Sequence, residues 1–400
     1  MDTLSNHSTV IIVGGGGMGL AAAWRLAKAG QAVRVIEQFR LFHDRGSSHG
    51  EHRIIRRTYE DELYSALMPY AYQLWDELEA DSGQHLKYLV GGVEFGPPDD
   101  PSLLEIIRIN RERNVPSEIF TPAEAAKRFP EFRLPGDFLL LYCPANGFLA
   151  VDDCVRAHAA QARRHGAIIQ DEEPVLQIVP LAHGAEVHTG RGIYTCDKLV
   201  VTAGAYVNKL LPQMHLDLAY IIEQNQVHWF EVAHPERFTA DRFPVFIVRH
   251  ERAAMGGTYG FPTFRHPGIK VGVHHSNHHI DVDNYDMIPR DDTTARVRDW
   301  VREFIPDATG KILKINACLY DFPPDEHFVI ALHPRYPDIA FANMAGHGYK
   351  FASLVGEILA QLAMEGRTTY DLTGLGLDRF FSATAARRPA PAQADVGRGH

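Results

Sequence analysis

Val10-Ile11-Ile12-Val13-Gly14-Gly15-Gly16-Gly17-Met18-Gly19-Leu20 is the stretch that decides the fold of this 400-residue chain. Four apolar residues in unbroken succession suit a strand buried on both faces of a parallel sheet. They run directly into Gly14, Gly16 and Gly19, spaced as G-x-G-x-x-G. Leu20, Ala23, Trp24 and Ala27 then recur at helical spacing, and Gly30 stands where that helix would end. Val33 to Ile36 is a second short apolar run, closed by Glu37, 18 residues beyond Gly19. Strand, glycine turn, helix, strand and acid predict a dinucleotide-binding βαβ unit. Its first glycine permits the tight turn, the second lets backbone approach a pyrophosphate, and the third lets helix pack on strand. The phosphates would rest on N–H groups at the positive end of the helix, and Glu37 would accept hydrogen bonds from a ribose diol. No Gly-Lys-Ser/Thr follows, which excludes a Walker-type site.

Outward from this unit, Leu67, Tyr70, Leu74 and Leu78 predict a helix over 63–79. β-type runs lie at 88–95 and 138–143, a helix at 151–165, and a strand at 199–202 leading to Ala203-Gly204-Ala205. The stretch 228–275 mixes aromatic and β-branched residues with turns, as antiparallel sheet does. A strand at 339–341, a glycine-rich turn and a helix capped by Gly366 follow. α/β signals thus alternate with β-rich stretches, which predicts two domains, each assembled from separated pieces of chain. A ligand would sit between them.

Fifty acidic against forty basic side chains give a net charge of −10. So acidic a chain has no general attraction for nucleic acid or anionic membranes. No run approaches the roughly 18 apolar residues of a membrane helix, and the polar first ten residues do not read as a signal peptide. Cys143, Cys154, Cys196 and Cys318 are too few and scattered for a disulfide framework. A cytoplasmic location is expected, and nothing in the sequence specifies an oligomeric state. Gly46-Ser47-Ser48-His49-Gly50 spells G-x-S-x-G, but the polar stretch before it is not the strand a nucleophile elbow needs. His274, His275, His278 and His279 cluster without an evident third metal ligand, so no metal is expected. Trp24, Trp75, Trp229 and Trp300 read as core or interface residues. Taken alone, Cys318 reads as a small buried residue, Lys270 as a surface lysine, and Arg45, Arg53, Arg56 and Arg57 as a solvated basic face. Lys350, near a helix start where a cation is unfavourable, points either to solvent or at an anion. Lys270 and His274, four apart on a predicted strand, would share a face and a pocket.

Across 10–377 the sequence resembles the monomeric sarcosine oxidase family of flavin-dependent amine oxidases, which includes N-methyltryptophan and pipecolate oxidases, within the D-amino-acid-oxidase superfamily. The resemblance rests on the 13–19 glycine turn, Gly-Ser-Ser-His-Gly-Glu-His-Arg-Ile-Ile-Arg at 46–56, Thr-Ala-Gly-Ala-Tyr at 202–206 and Tyr-Gly-Phe-Pro at 259–262. It continues through Lys-Val-Gly-Val-His at 270–274, Cys-Leu-Tyr at 318–320, Asp-Glu-His-Phe at 325–328 and Gly-His-Gly-Tyr-Lys-Phe at 346–351.

The resemblance implies an α/β fold with a Rossmann-like FAD-binding domain (1–87, 150–216, 320–384) and an α+β substrate domain on an antiparallel sheet (88–149, 217–319). A flexible tail would occupy 385–400. FAD would be bonded through its 8α-methyl group to the sulfur of Cys318. It would be held by Gly14, Gly16, Gly17, Met18, Gly19, Glu37, Ser48, His49, Arg53, Ile54, Val175, Gly204, Leu319, Tyr320, Gly346, Gly348 and Lys350. Arg56 and Lys350 would clamp the substrate carboxylate, an Arg fork suiting a planar carboxylate, with the amine near Gly346. Arg53 would support the flavin, Lys270 would activate O₂, and Tyr259 and His274 would line the substrate pocket. The implied reaction is oxidation of an N-methyl amino acid or cyclic imino acid, with O₂ reduced to H₂O₂. Alternatives are a dehydrogenase of the same fold, a cyclic imino acid desaturase, or a flavin-binding protein without turnover. Two departures stand out: His52 and Asp321 each replace a threonine common in the family.

Overall fold

A computed structural model describes residues 6–249 and 257–381. Strand β1 (His7–Val13), helix α1 (Gly17–Lys28) and strand β2 (Val33–Ile36) form the expected βαβ unit. β1 pairs in parallel with β2 on one side and with the end of the strand Gly192–Val201 on the other. Ile168–Gln170 extends the sheet beyond β2, and Ile339–Asn343 extends it beyond Val201, again in parallel. The strands Val175–Pro180, Ala185–Thr189 and Gly192–Val201 run antiparallel and form a flap on this parallel core, and Val329–Leu332 adds a further antiparallel strand beside Ile339–Asn343. α1 packs on the helices Val151–Arg164 and Ala352–Glu365. The last of these crosses close because Gly356 has no Cβ, and one built there would stand 2.5 Å from Ala21 Cβ. Gly366 ends that helix at φ +70°, the left-handed cap expected.

The second large sheet runs, in spatial order, Ala308–Phe322, Ile221–Val232, Ile269–Val273, Thr258–Phe261, Val245–Val248, Gly92–Gly96, Leu139–Cys143 and Glu118–Phe120. It is antiparallel except at one place, where Val245–Val248 pairs in parallel with Gly92–Gly96. The single run expected at 88–95 is divided. Lys87–Tyr88 joins a small sheet with His52–Ile55 and Gly147–Ala150, and the chain turns at Gly91 (φ +79°) before entering the large sheet. The strand Ala308–Phe322 passes through the expected boundary at 319/320. Its Cys318, Tyr320 and Phe322 join the core around α1, whereas Leu319 faces a different core under Val201 and Phe341. All four tryptophans are buried. No helix among the described residues is long and apolar enough to cross a membrane. The tail expected at 385–400 lies outside the described residues.

Candidate active site

At the β1–α1 turn Gly14 adopts φ +106°, closed to most side chains. Gly19 abuts Gly14 O, so any Cβ there would collide with it. α1 starts at Gly17 with no side-chain cap, and Gly17 N–H donates to Ser48 Oγ at 3.0 Å. Glu37 accepts from Gly15 N at 2.7 Å and Phe39 N at 2.9 Å. Gly14, Gly15, Gly17, Glu37 and Ser48 face a cavity of about 330 Å³ also lined by Gly16, Met18, Val175 and Gly204. The cavity meets a second, of about 690 Å³, through a neck of Met18, Ser47, Ser48, Asp321 and Met344. A helix N-terminus whose N-cap, Gly16, has no side chain to cover it, a buried carboxylate and a channel leading onward fit an extended dinucleotide, with its far ring in the larger chamber.

The larger chamber collects Arg53, Ile54, Arg56, Tyr259, His274, Tyr320, Gly346, Gly348 and Lys350 from five separate segments of chain. Arg56 Nη1 donates to Thr58 O at 2.6 Å and to Glu94 Oε1 at 3.3 Å, and Nη2 lies 3.6 Å from Glu60 Oε2. Its guanidinium covers the Tyr59 ring at 4.1 Å. Arg249 completes the network, reaching Glu94 Oε2 at 2.9–3.0 Å and Glu60 at 3.2–3.3 Å. Burial opposes ionisation of Glu60, yet Arg249 and then Arg56 hold its carboxyl down at about 2. The basic island is therefore not one solvated face, because Arg53 and Arg56 turn inward while Arg45 stays exposed. Lys350 is buried beneath the chamber and donates to His347 O at 2.6 Å. Burial first, then Arg56, push its ammonium well below the usual lysine range.

Tyr259 and Tyr320 are joined hydroxyl to hydroxyl at 3.3 Å, and burial pushes Tyr259 up to about 12. His274 and His347 are both driven well below the usual histidine range, chiefly by burial, and are neutral at neutral pH. Gly346 takes φ +70° directly against the Tyr320 and Phe322 rings, where a Cβ would sit 2.7 Å from Tyr320 Cδ2.

Gly19, His49, Lys270, Cys318 and Leu319 are outside the lining of both cavities. Gly19 packs helix on strand. His49 Nε2 contacts Gly46 O at 3.1 Å, and burial followed by Arg53 lowers it to about 4. Cys318 is buried with Arg53 and Lys270 as its nearest cations; burial raises its thiol, which they oppose. It shares a strand face with Tyr320. Leu319 points away, but its carbonyl accepts from Ser47 Oγ.

Lys270 is no surface lysine: it is 2% exposed, donates to His52 O at 3.0 Å and lies over Phe261 at 4.8 Å. The strand ends at Val273, so His274 lies beyond the alternating pattern and does not share Lys270's surroundings. Among the described residues no metal-binding group is present; His275 instead lies 3.6 Å from Glu223, and His278 accepts from Arg290. The G-x-S-x-G serines are consumed by structure, Ser48 on Gly17 N and Ser47 on Leu319 O.

Glu60, Glu94 and Arg249 are missing from the sequence expectations. Glu94 lies in the run Gly92-Val93-Glu94-Phe95-Gly96, buried throughout, where an acid demands a cation.

Residues 9–362 match the family described as FAD dependent oxidoreductase. The chain belongs to that family. It is 36% identical over 369 residues to monomeric sarcosine oxidase of Streptomyces avermitilis, covering 91% of this chain and 95% of that one. To monomeric sarcosine oxidase of Bacillus sp. strain NS-129 it is 33% identical over 383 residues, covering 94% and 98%. Among solved structures it is similar to NikD, an unusual amino acid oxidase essential for nikkomycin biosynthesis, with TM-score 0.83 and 26% identity over 99% of this chain and 100% of that one. An FAD-dependent oxidoreductase of this family accounts for the paired cavities.

Proposed function

We propose that this FAD-dependent amine oxidase acts on a secondary amine carrying one carboxylate, an N-methyl amino acid or a cyclic imino acid, and passes the electrons to O₂ to give H₂O₂. The observation that carries this reading is the charge of the chamber. Among the described residues no carboxylate pairs with Lys350, whereas Arg56 shares Glu60 and Glu94 with Arg249. A single substrate carboxylate set between Arg56 and Lys350 would supply the partner Lys350 lacks and favour its protonated form. Arg56 and Lys350 hold that carboxylate, and the amine lies near Gly346. Burial among cations lowers the amine's pKa and favours the neutral form that can be oxidised. Neutral His274 and the Tyr259–Tyr320 pair shape the wall, and no side chain is assigned as a dedicated base.

FAD, when bound, supplies the hydride acceptor and the electron path to oxygen. Gly14, Gly16, Gly17, Glu37, Val175 and Gly204, which line the 330 Å³ cavity, would hold its adenosine side. Met18, Ser48, Ile54, Tyr320 and Gly348 flank the far side, Arg53 supports the ring, and His49 and Leu319 position the loop. Cys318 is the proposed sulfur tether. Lys270 is the cation assigned to O₂ activation, since superoxide forms as an anion. The division into 1–87, 150–216 and 320–384 against 88–149 and 217–319 is part of the same proposal. So is a cytoplasmic location, consistent with four unpaired, buried cysteines.

The deciding experiment screens N-methyl and cyclic imino acids aerobically, following H₂O₂ together with formaldehyde or ring imine. Equal yields of peroxide and oxidised product are expected. Product without peroxide would move the chain to the dehydrogenases; no bleaching of the flavin by any of these substrates under anaerobic conditions would overturn the reading.

A further inference from the structure

Asp321 stands where the two cavities meet and is one of five residues that line both. It is 6% exposed and lies near the end of the strand Ala308–Phe322, opposite Ile222. The other four neck residues, Met18, Ser47, Ser48 and Met344, carry no charge. Among the described residues Asp321 has no ion-pair partner. Its polar contacts are neutral, the Met344 backbone and the Asn343 side chain. The nearby Tyr220 phenol is pushed well above its usual range, by burial and then by Asp321 itself. A dinucleotide laid from Glu37 to the larger chamber must thread this neck, carrying its diphosphate past the start of α1. An ionised carboxylate there would repel the diphosphate in a desolvated channel; a carboxyl that keeps its proton donates a hydrogen bond instead.

We propose that Asp321 is a cofactor-binding residue that acts as a neutral carboxyl, donating its O–H to the diphosphate–ribityl linker of FAD, so that the protein must hold this proton to hold the cofactor. The inference rests on FAD binding, which family membership carries, and not on the identity of the amine. Burial raises the Asp321 carboxyl, and against the opposing hydrogen bonds from the Met344 backbone and the Asn343 side chain it stands at about 7. A neighbouring diphosphate raises it further, so binding takes up a proton. Affinity is therefore full below about pH 7 and falls as pH rises towards the pKa of the loaded form, at most about tenfold per pH unit.

The test is titration of FAD, followed by flavin fluorescence between pH 6 and 9, into two chains that both carry Cys318→Ala to prevent tethering. One retains Asp321 and the other carries Asp321→Asn. The expected result is a weakening of at least threefold per pH unit above pH 7 for the first, and a flat profile for the second, whose amide still donates. His43 lines the adenosine-side cavity in both chains, so the difference isolates Asp321. A flat profile in both, or the same slope in both, overturns the proposal. Should the Cys318→Ala background not fold, the infrared spectrum of the flavin-loaded parent gives the same decision. A protonated-carboxyl C=O band at pH 7 that vanishes in Asp321→Asn supports it, and absence of that band overturns it. Neither readout depends on turnover, so failure of the amine reading would appear separately.

Discussion

At the residue scale the chamber separates two arginines that composition treats alike. Arg249 is saturated by Glu60 and Glu94, whereas Arg56 shares those acids and keeps donors facing the cavity. Arg56→Ala should therefore raise the apparent KM tenfold or more, since loss of one partner of a buried charge contact costs about 2–5 kcal/mol. The fold should survive, because Arg249 keeps its hydrogen bonds to both acids. Steady-state kinetics on the best substrate check this, and an unchanged KM would remove Arg56 from the clamp. Arg249→Met should do the reverse, lowering the urea midpoint more than Arg56→Met does, because Arg249 makes four hydrogen bonds to the two carboxylates and Arg56 makes one. Lys350 gives a pH test. Its ammonium is depressed by burial, and a bound carboxylate restores the proton, so binding takes up a proton. Affinity for a competitive carboxylate lacking an amine should be greatest at low pH and fall as pH rises through the pKa of the complex. Inhibition constants measured across pH should show this slope, and Lys350→Met should flatten it. Glu94 falls in the β-type run expected at 88–95, but neither its burial nor its choice of cation was legible, because Arg249 lies 155 residues away in sequence.

At the element scale, α1 presents its N-terminus to the smaller cavity while the helix Ala352–Glu365 packs closely on it at Gly356. A Cβ there would come within 2.6 Å of Ala21 backbone. Gly356→Ala would gain at most about 1 kcal/mol of helix propensity and lose about 1–3 kcal/mol to overpacking against atoms that cannot yield. Net destabilisation is expected, visible as a lower urea midpoint; a rise would show that the helices separate freely. The βαβ unit and the final helix were legible because each is set by short-range periodicity and local caps. The strand divided at Gly91 was not, since period-two alternation is the same whichever sheet receives the strand. The parallel pairing of Val245–Val248 with Gly92–Gly96 was hidden likewise, being a choice of neighbour rather than of conformation.

For the whole molecule, the strand Ala308–Phe322 couples the two large sheets by sending alternate residues into different cores, and Cys318 lies on the face shared with Tyr320. Cys318→Ala should yield a yellow protein whose flavin passes into the supernatant on acid precipitation, while the parent's stays with the pellet. Its melting temperature should also become dependent on added FAD, by about 2.7 kcal/mol of stability at a hundredfold excess over Kd. Flavin retained in the acid pellet of the variant would assign the tether elsewhere. By itself the sequence determined the dinucleotide turn, the family, and the cations and cysteine from which a flavin site could be built, because those depend on residue type at fixed local spacing. Only the tertiary structure decided that Lys270 is buried under His52 rather than facing solvent, that Arg249 and Glu94 join Arg56 in one ionic network, and that Asp321 occupies the neck. Those outcomes depend on which distant segments share one desolvated space, and burial, not local pattern, sets the charge each group can carry there.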